Sequence, residues 1–141
     1  MKMTIVLIGL LIRQSIMAQG TVYLSNLGQI SAGNNPIGSN SWFAAEFITG
    51  SNPGGYSLDS VQLGMANASG NPGGFNVAVY TDNGISGARP GGNIGTLTGS
   101  LDPLTAGNYT YTPASSLVLS PSTDYFIVLT AGTALADGAA R

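Results

Sequence analysis

The chain carries its clearest strand signal in the stretch Phe75-Asn76-Val77-Ala78-Val79-Tyr80. Phe75, Val77 and Val79 alternate with Asn76 and Ala78, and a period of two residues places alternate side chains on opposite faces of a strand. Turn-forming residues precede the stretch at positions 67–74, and a glycine-rich segment follows it at positions 81–93. The stretch therefore predicts a strand that turns one face toward an apolar core.

The same pattern extends in both directions from this strand. Short alternating or apolar runs are separated by clusters of Gly, Pro, Asn and Ser, and no helical period appears after residue 20. This arrangement is typical of an antiparallel β-sandwich or a jelly-roll-like fold. The further strand candidates are residues 21–25, 42–49, 58–65, 94–99, 109–112, 117–119 and 125–129.

Two of these candidates have a predicted place in the sheet. Residues 94–99 are short and glycine-rich, so we expect an edge strand preceded by a long loop over residues 81–93. Residues 125–129 are continuously apolar, which predicts a central strand. The small and polar residues 131–141 offer no strand to close the sheet beside it. We therefore expect either a different closure of the sheet or a sandwich that is incomplete at the C-terminus.

The first twenty residues differ from the rest of the chain. Lys2 precedes an apolar run over residues 4–12, which is too short to span a bilayer but suits the h-region of a signal peptide. Ala18 and Gly20 supply small residues near a cleavage site, whereas Arg13 directly after the apolar run is atypical. We favour a signal peptide over residues 1–20, followed by one domain over residues 21–141, rather than a buried N-terminal strand.

Composition excludes several classes of function. Charged residues make up 7% of the chain, with four basic side chains against six acidic ones, so nucleic acids and anionic membrane surfaces are not expected partners. The chain has no Cys and no His, which excludes disulfides, thiolate or imidazole catalysis, and zinc sites built on those ligands. Its surface must be built from Ser, Thr, Asn, Gln and Gly.

Several segments in register resemble the choice-of-anchor R domain. Residues 47–63 are similar to the family's F-T-T-G-S…G-Y-T-L-x-S-V-x-L block, and residues 77–84 with 86–91 to its V-x-I-Y-S-D…G-x-P-G block. The remaining family segments are matched in order by residues 95–99, 109–111 and 119–129. The resemblance implies an exported bacterial surface or matrix β-sandwich without assigned catalytic residues. It also implies a C-terminal sorting anchor of the PEP-CTERM type, which is not found within residues 1–141.

Acidic and aromatic residues are the candidates for chemistry. Four of the six acids, Asp59, Asp82, Asp102 and Asp124, fall in or beside turn sequences, where Asp caps backbone N–H groups. Glu46 alone lies inside a predicted strand. An acid pair for hydrolysis is therefore disfavoured. Calcium near Asp82 is weighed against an Asp-Asn-Gly turn with Gly84 at positive φ, which we favour.

A carbohydrate contact is the alternative role that the aromatic residues suggest. Tyr109 and Tyr111 share one face of a strand, and we name their exposed rings as the side chains that would stack on a sugar if a carbohydrate is bound. Trp42 is the single tryptophan, and we expect it in the core. The prediction is a non-enzymatic, exported domain without a cofactor or metal, whose partners are extracellular polysaccharide or other surface proteins.

Overall fold

The structure of the protein is a computed structural model that describes residues 27–28, 33–68 and 73–134. All regular elements within these residues are β-strands, which confirms the all-β prediction. The predicted leader, residues 1–20, and the first strand candidate, residues 21–25, lie outside the described residues.

Eight strands occupy the described residues, and they include every strand predicted from residue 42 onward. The one strand that the pattern missed has two residues, which is too short for alternation to be visible. The strands are β1 Phe43–Ile48, β2 Tyr56–Ser57, β3 Val61–Met65, β4 Asn76–Asp82, β5 Pro90–Thr98, β6 Gly107–Pro113, β7 Val118–Leu119 and β8 Asp124–Thr130.

Six strands form one antiparallel sheet in the order β1-β8-β4-β5-β6-β3, and β2 pairs with β7 in a small second sheet. The large sheet curls, so that residues from β3 and β6 pack against residues from β4 and β8. Phe75, directly before β4, contacts Tyr111 of β6, with ring centroids 5.9 Å apart. The architecture is therefore β-sandwich-like, as the strand pattern predicted.

The core is built from alternate residues of these strands. Val77 and Val79 of β4 are fully buried, and Tyr125 and Leu129 of β8 lie beside them. Leu97 of β5, Tyr111 of β6 and Leu119 of β7 complete the cluster, with half-buried residues of β3 packed against it. Full burial of one such side chain contributes about 1.5–3 kcal/mol, so this single cluster is the main source of stability.

The strands β4 and β8 are buried on both faces over their middle residues, while Asn76 at the start of β4 and Thr130 at the end of β8 are half-buried. Their opposite faces carry Ala78, Phe126 and Val128, which are 1%, 4% and 2% exposed. A strand with two buried faces has no need of polar alternation, which explains the continuous apolar run in β8. The prediction that this run forms a central strand is confirmed, because β8 lies between β1 and β4.

The predicted position of β5 is wrong. This strand has nine residues and lies between β4 and β6, so it is not a short edge strand, and the preceding loop shrinks to residues 83–89. Its glycines serve the pairing itself. The register of β4 and β5 shifts twice, and at the second shift a Cβ on Gly91 would stand 2.9 Å from the carbonyl oxygen of Asp82. Glycine here marks an irregular pairing rather than a loop.

The sheet also closes differently from the simple order of strands along the chain. Because no strand candidate follows β8, we expected either a different closure of the sheet or an incomplete sandwich. In the structure β1 lies beside β8, paired from Phe43 opposite Leu129 to Ile48 opposite Asp124. Sequence adjacency does not reveal this pairing, because the two strands are separated by most of the domain.

Candidate functional site

The two tyrosines named as sugar contacts lie on the inner face of β6. Tyr111 is 1% exposed, and its hydroxyl donates a hydrogen bond to the carbonyl oxygen of Ser100 at 3.0 Å. Tyr109 is half-buried, and its hydroxyl contacts the carbonyl oxygen of Thr105 at 2.9 Å. The expectation of two exposed rings is therefore corrected: Tyr111 is a core residue, because Thr110 and Thr112 occupy the solvent side of β6.

Burial also changes the acidity of Tyr111. Desolvation of the hydroxyl raises its pKa above the ordinary value of 10.0, and the neighbouring Tyr109 adds to the increase. The physical cause is that a phenolate loses its hydration in the core, whereas the neutral hydroxyl keeps its hydrogen bond to Ser100. Tyr111 is thus held as a neutral donor inside the sandwich.

Trp42, in contrast to Tyr111, is exposed to solvent. It directly precedes β1 and is 63% exposed, so the expectation of a core tryptophan is wrong. Its indole N–H donates to the carbonyl oxygen of Ser39 at 3.2 Å. The residues before it form a turn in which the N–H of Gly38 donates to the carbonyl of Ser41, and the N–H of Ser39 donates to the carbonyl of Thr133. The hydrogen bonds of this turn therefore fix the position of the exposed ring at the start of β1.

A row of polar side chains begins beside Trp42 and crosses the sheet. Asn76 pairs with Thr130, and Thr98 pairs with Thr112. Phe43 pairs with Leu129 and Val77 with Leu97, so the next residues along these strands place Trp42 opposite Thr130 and Asn76 opposite Thr98. Their core-facing neighbours point inward, so these side chains share the outer face. We call Thr130, Asn76, Thr98 and Thr112 the polar row.

Asp82 and Asn83 accept backbone hydrogen bonds within a loop. The Oδ1 atom of Asp82 accepts from the N–H of Arg89, and Oδ1 of Asn83 accepts from the N–H of Ile85 at 2.9 Å. Gly84 has a φ of 71°, which confirms the turn that the sequence favoured. Within residues 27–28, 33–68 and 73–134, no group of three or more acidic side chains has metal-binding geometry.

Two other acids are closer together than the sequence indicated. Asp124 pairs with Ile48 and Phe126 pairs with Glu46, so Glu46 and Asp124 are diagonal neighbours on the outer face, with Cβ atoms about 7 Å apart. They line a shallow depression with Phe47 and Ile48. Asp124, predicted in or beside a turn, is the first residue of β8 and follows the turn at positions 121–122. The depression is open and Glu46 is exposed, so none of the residues that the structure describes encloses a substrate between the two carboxyl groups.

Comparisons with known proteins add no assignment to this geometry. The chain was compared with protein-family models, with curated proteins and with solved structures, and none of the three comparisons found a match. The part of the chain that the structure describes contains no helix able to cross a membrane. The candidate site therefore rests on the side chains alone: an exposed, oriented indole and the polar row that continues from it.

Proposed function

We propose that this chain is a non-enzymatic β-sandwich module that works outside the cytoplasm, at the cell surface or in extracellular matrix. The observation that carries the proposal is the chemistry of the solvent-facing strand positions. On β5 and β6 these positions are Thr96, Thr98, Thr110 and Thr112, all exposed, and Gln62 continues the pattern on β3. Neutral hydroxyl and amide groups take the place that Lys and Glu occupy on most soluble domains.

Two sequence features support the exported location. Residues 1–20 have the order of a signal peptide, with Lys2, an apolar run and small residues near position 18. The segments that resemble the choice-of-anchor R domain imply the same destination and a sorting anchor downstream. We include that membership in the proposal, as an expectation drawn from resemblance.

The non-enzymatic role is supported by what the acids do. Asp82 accepts a backbone hydrogen bond in a loop, and the Glu46–Asp124 pair lies on an open face rather than in a cleft. A pair of carboxyl groups that hydrolyses a glycosidic bond must flank it at a fixed separation, with the substrate held between them. A structural or binding role does not require two carboxyl groups at a fixed separation.

Fractionation of a bacterial host that expresses the full chain tests the location. We expect the protein in the periplasmic or extracellular fraction, with an N-terminus between Ala18 and Thr21. The matched control is Leu7→Arg, which interrupts the apolar run and should keep the chain in the cytoplasm at full length. Uncleaved wild-type protein in the cytoplasm would contradict the proposal.

A further inference from the structure

Trp42 is the exposed aromatic residue with the strongest signs of a binding role. It is 63% exposed, whereas Tyr111 and Tyr125 are 1% and 5% exposed. Leaving an indole in water forgoes about 1.5–3 kcal/mol that burial of a large side chain would contribute. The hydrogen bond from its N–H to Ser39 also consumes the donor, so the part of the ring that remains for a ligand is its apolar face.

The polar row supplies the complementary chemistry. Thr98 and Thr112 are exposed, and Thr130 and Asn76 are half-buried. The Thr98 hydroxyl donates to the carbonyl oxygen of Thr112 at 3.0 Å, so it offers a ligand its acceptor lone pairs. The hydroxyls of Thr112 and Thr130 can donate and accept, and the asparagine amide offers both functions at once. With neighbouring strands about 4.8 Å apart, the row from Trp42 to Thr112 crosses five strands and is about 19 Å long. An apolar platform thus leads into a line of neutral hydrogen-bonding groups.

The absence of charge along this line selects the kind of ligand. No acidic or basic residue belongs to the polar row, and Arg89 is the only basic residue among those that the structure describes. Polyanions would find no cation to pair with. A pyranose ring has an apolar C–H face and a rim of hydroxyl groups, which matches an indole face followed by hydroxyl and amide side chains.

We propose that Trp42 and the polar row bind a neutral polysaccharide, with one sugar ring stacked on the indole and neighbouring hydroxyl groups hydrogen-bonded along the row. This inference rests on the proposed non-enzymatic extracellular role and names its partner. It places the sugar contact on the outer face at the entry of β1, and not at Tyr109 and Tyr111.

The single tryptophan makes the binding step directly measurable. We expect titration of the full chain with soluble neutral polymers (hydroxyethyl cellulose, xyloglucan, galactomannan and dextran) to change the Trp42 emission for at least one of them. Bound polymer should also reduce quenching by acrylamide, while the polyanion alginate should do neither. If none of the neutral polymers binds, or if alginate binds equally well, the proposal is overturned.

Variants then locate the site by affinity electrophoresis in gels that contain the bound polymer. Trp42→Ala should weaken binding at least about tenfold, the equivalent of about 1.4 kcal/mol. Trp42→Phe should retain part of it, and Thr98→Val should weaken binding while leaving the indole in place. The matched control is Val118→Ala in β7, since Val118 is also 63% exposed, and it should bind as the wild type. Unchanged binding by Trp42→Ala overturns the site.

Two outcomes separate this inference from the proposed function. A protein found outside the cytoplasm that binds none of the neutral polymers overturns the polysaccharide site and leaves the location standing. A cytoplasmic protein that binds a polymer through Trp42 overturns the proposed location and leaves the polysaccharide site standing. Self-association of the wild type that is lost in Trp42→Ala, measured by sedimentation, would assign the same face to a second copy and also overturn the polysaccharide proposal.

Discussion

Trp42 and Tyr111 are two large aromatic residues whose expected positions are exchanged in the structure. Trp42, expected in the core, is 63% exposed at the entry of β1, and Tyr111, expected on the surface, is 1% exposed in the middle of β6. In both strands the alternation itself was read correctly. What failed was the choice of which face is buried, and in each strand a neighbouring residue carried that information.

The deciding neighbours are polar. Glu46 shares a face with Trp42, and an unpaired carboxylate is rarely buried, so that face of β1 had to meet solvent and leave Phe43 and Phe47 to the core. Tyr111 stands between Thr110 and Thr112, which are both exposed. The larger lesson is that the most polar residue of a strand indicates the face better than the size of its aromatic residues.

Removal of the buried ring is the strongest test of this comparison. Tyr111→Ala should lower the free energy of unfolding by about 3–5 kcal/mol, because it leaves a cavity among the core side chains and removes the contact with Phe75. Urea denaturation followed by circular dichroism measures the change. A loss below about 1 kcal/mol would mean that the ring is not part of the core.

The hydroxyl of Tyr111 gives a second, smaller effect. Tyr111→Phe keeps the ring and removes the hydrogen bond to Ser100, which should cost about 1 kcal/mol near neutral pH. The pKa of Tyr111 is raised in the folded state from 10.0, so below that pH both states keep the proton and this group adds no pH dependence. As the pH rises above it, the unfolded chain loses the proton first and the folded state loses stability.

The free energies of unfolding of the wild type and of Tyr111→Phe should therefore become more similar at alkaline pH. Urea midpoints measured from about pH 8 to about pH 11 should fall more steeply for the wild type than for Tyr111→Phe, and the advantage of the wild type should shrink. Parallel curves for the two proteins would show that the pKa of Tyr111 is the same in the folded and the unfolded state, so that burial does not raise it.

The extent to which sequence predicts this molecule follows from the range of the interactions. Local alternation located β1, β4 and β6, and a continuous apolar run located β8, because each signal lies within a few residues. The pairing of β1 with β8 and the insertion of β5 between β4 and β6 depend on contacts between distant segments, which a single sequence does not display. The polar row is a product of that pairing, since its four members come from four different strands.

Trp42 gives the smallest expected effect on stability, and this completes the comparison with Tyr111. Trp42→Ala should change the free energy of unfolding by no more than about 0.5 kcal/mol, because the ring is largely exposed and the variant leaves the core untouched. Without ligand, acrylamide should quench the wild-type emission readily, as it does for a solvent-exposed indole. Phe43→Ala, one residue further along, is the matched control: its half-buried ring packs against the core, so its loss should cost clearly more. Equal losses of unfolding free energy in Trp42→Ala and Phe43→Ala would mean that both faces of β1 pack against other parts of the protein. Trp42 would then be a structural residue and not a ring available to a ligand.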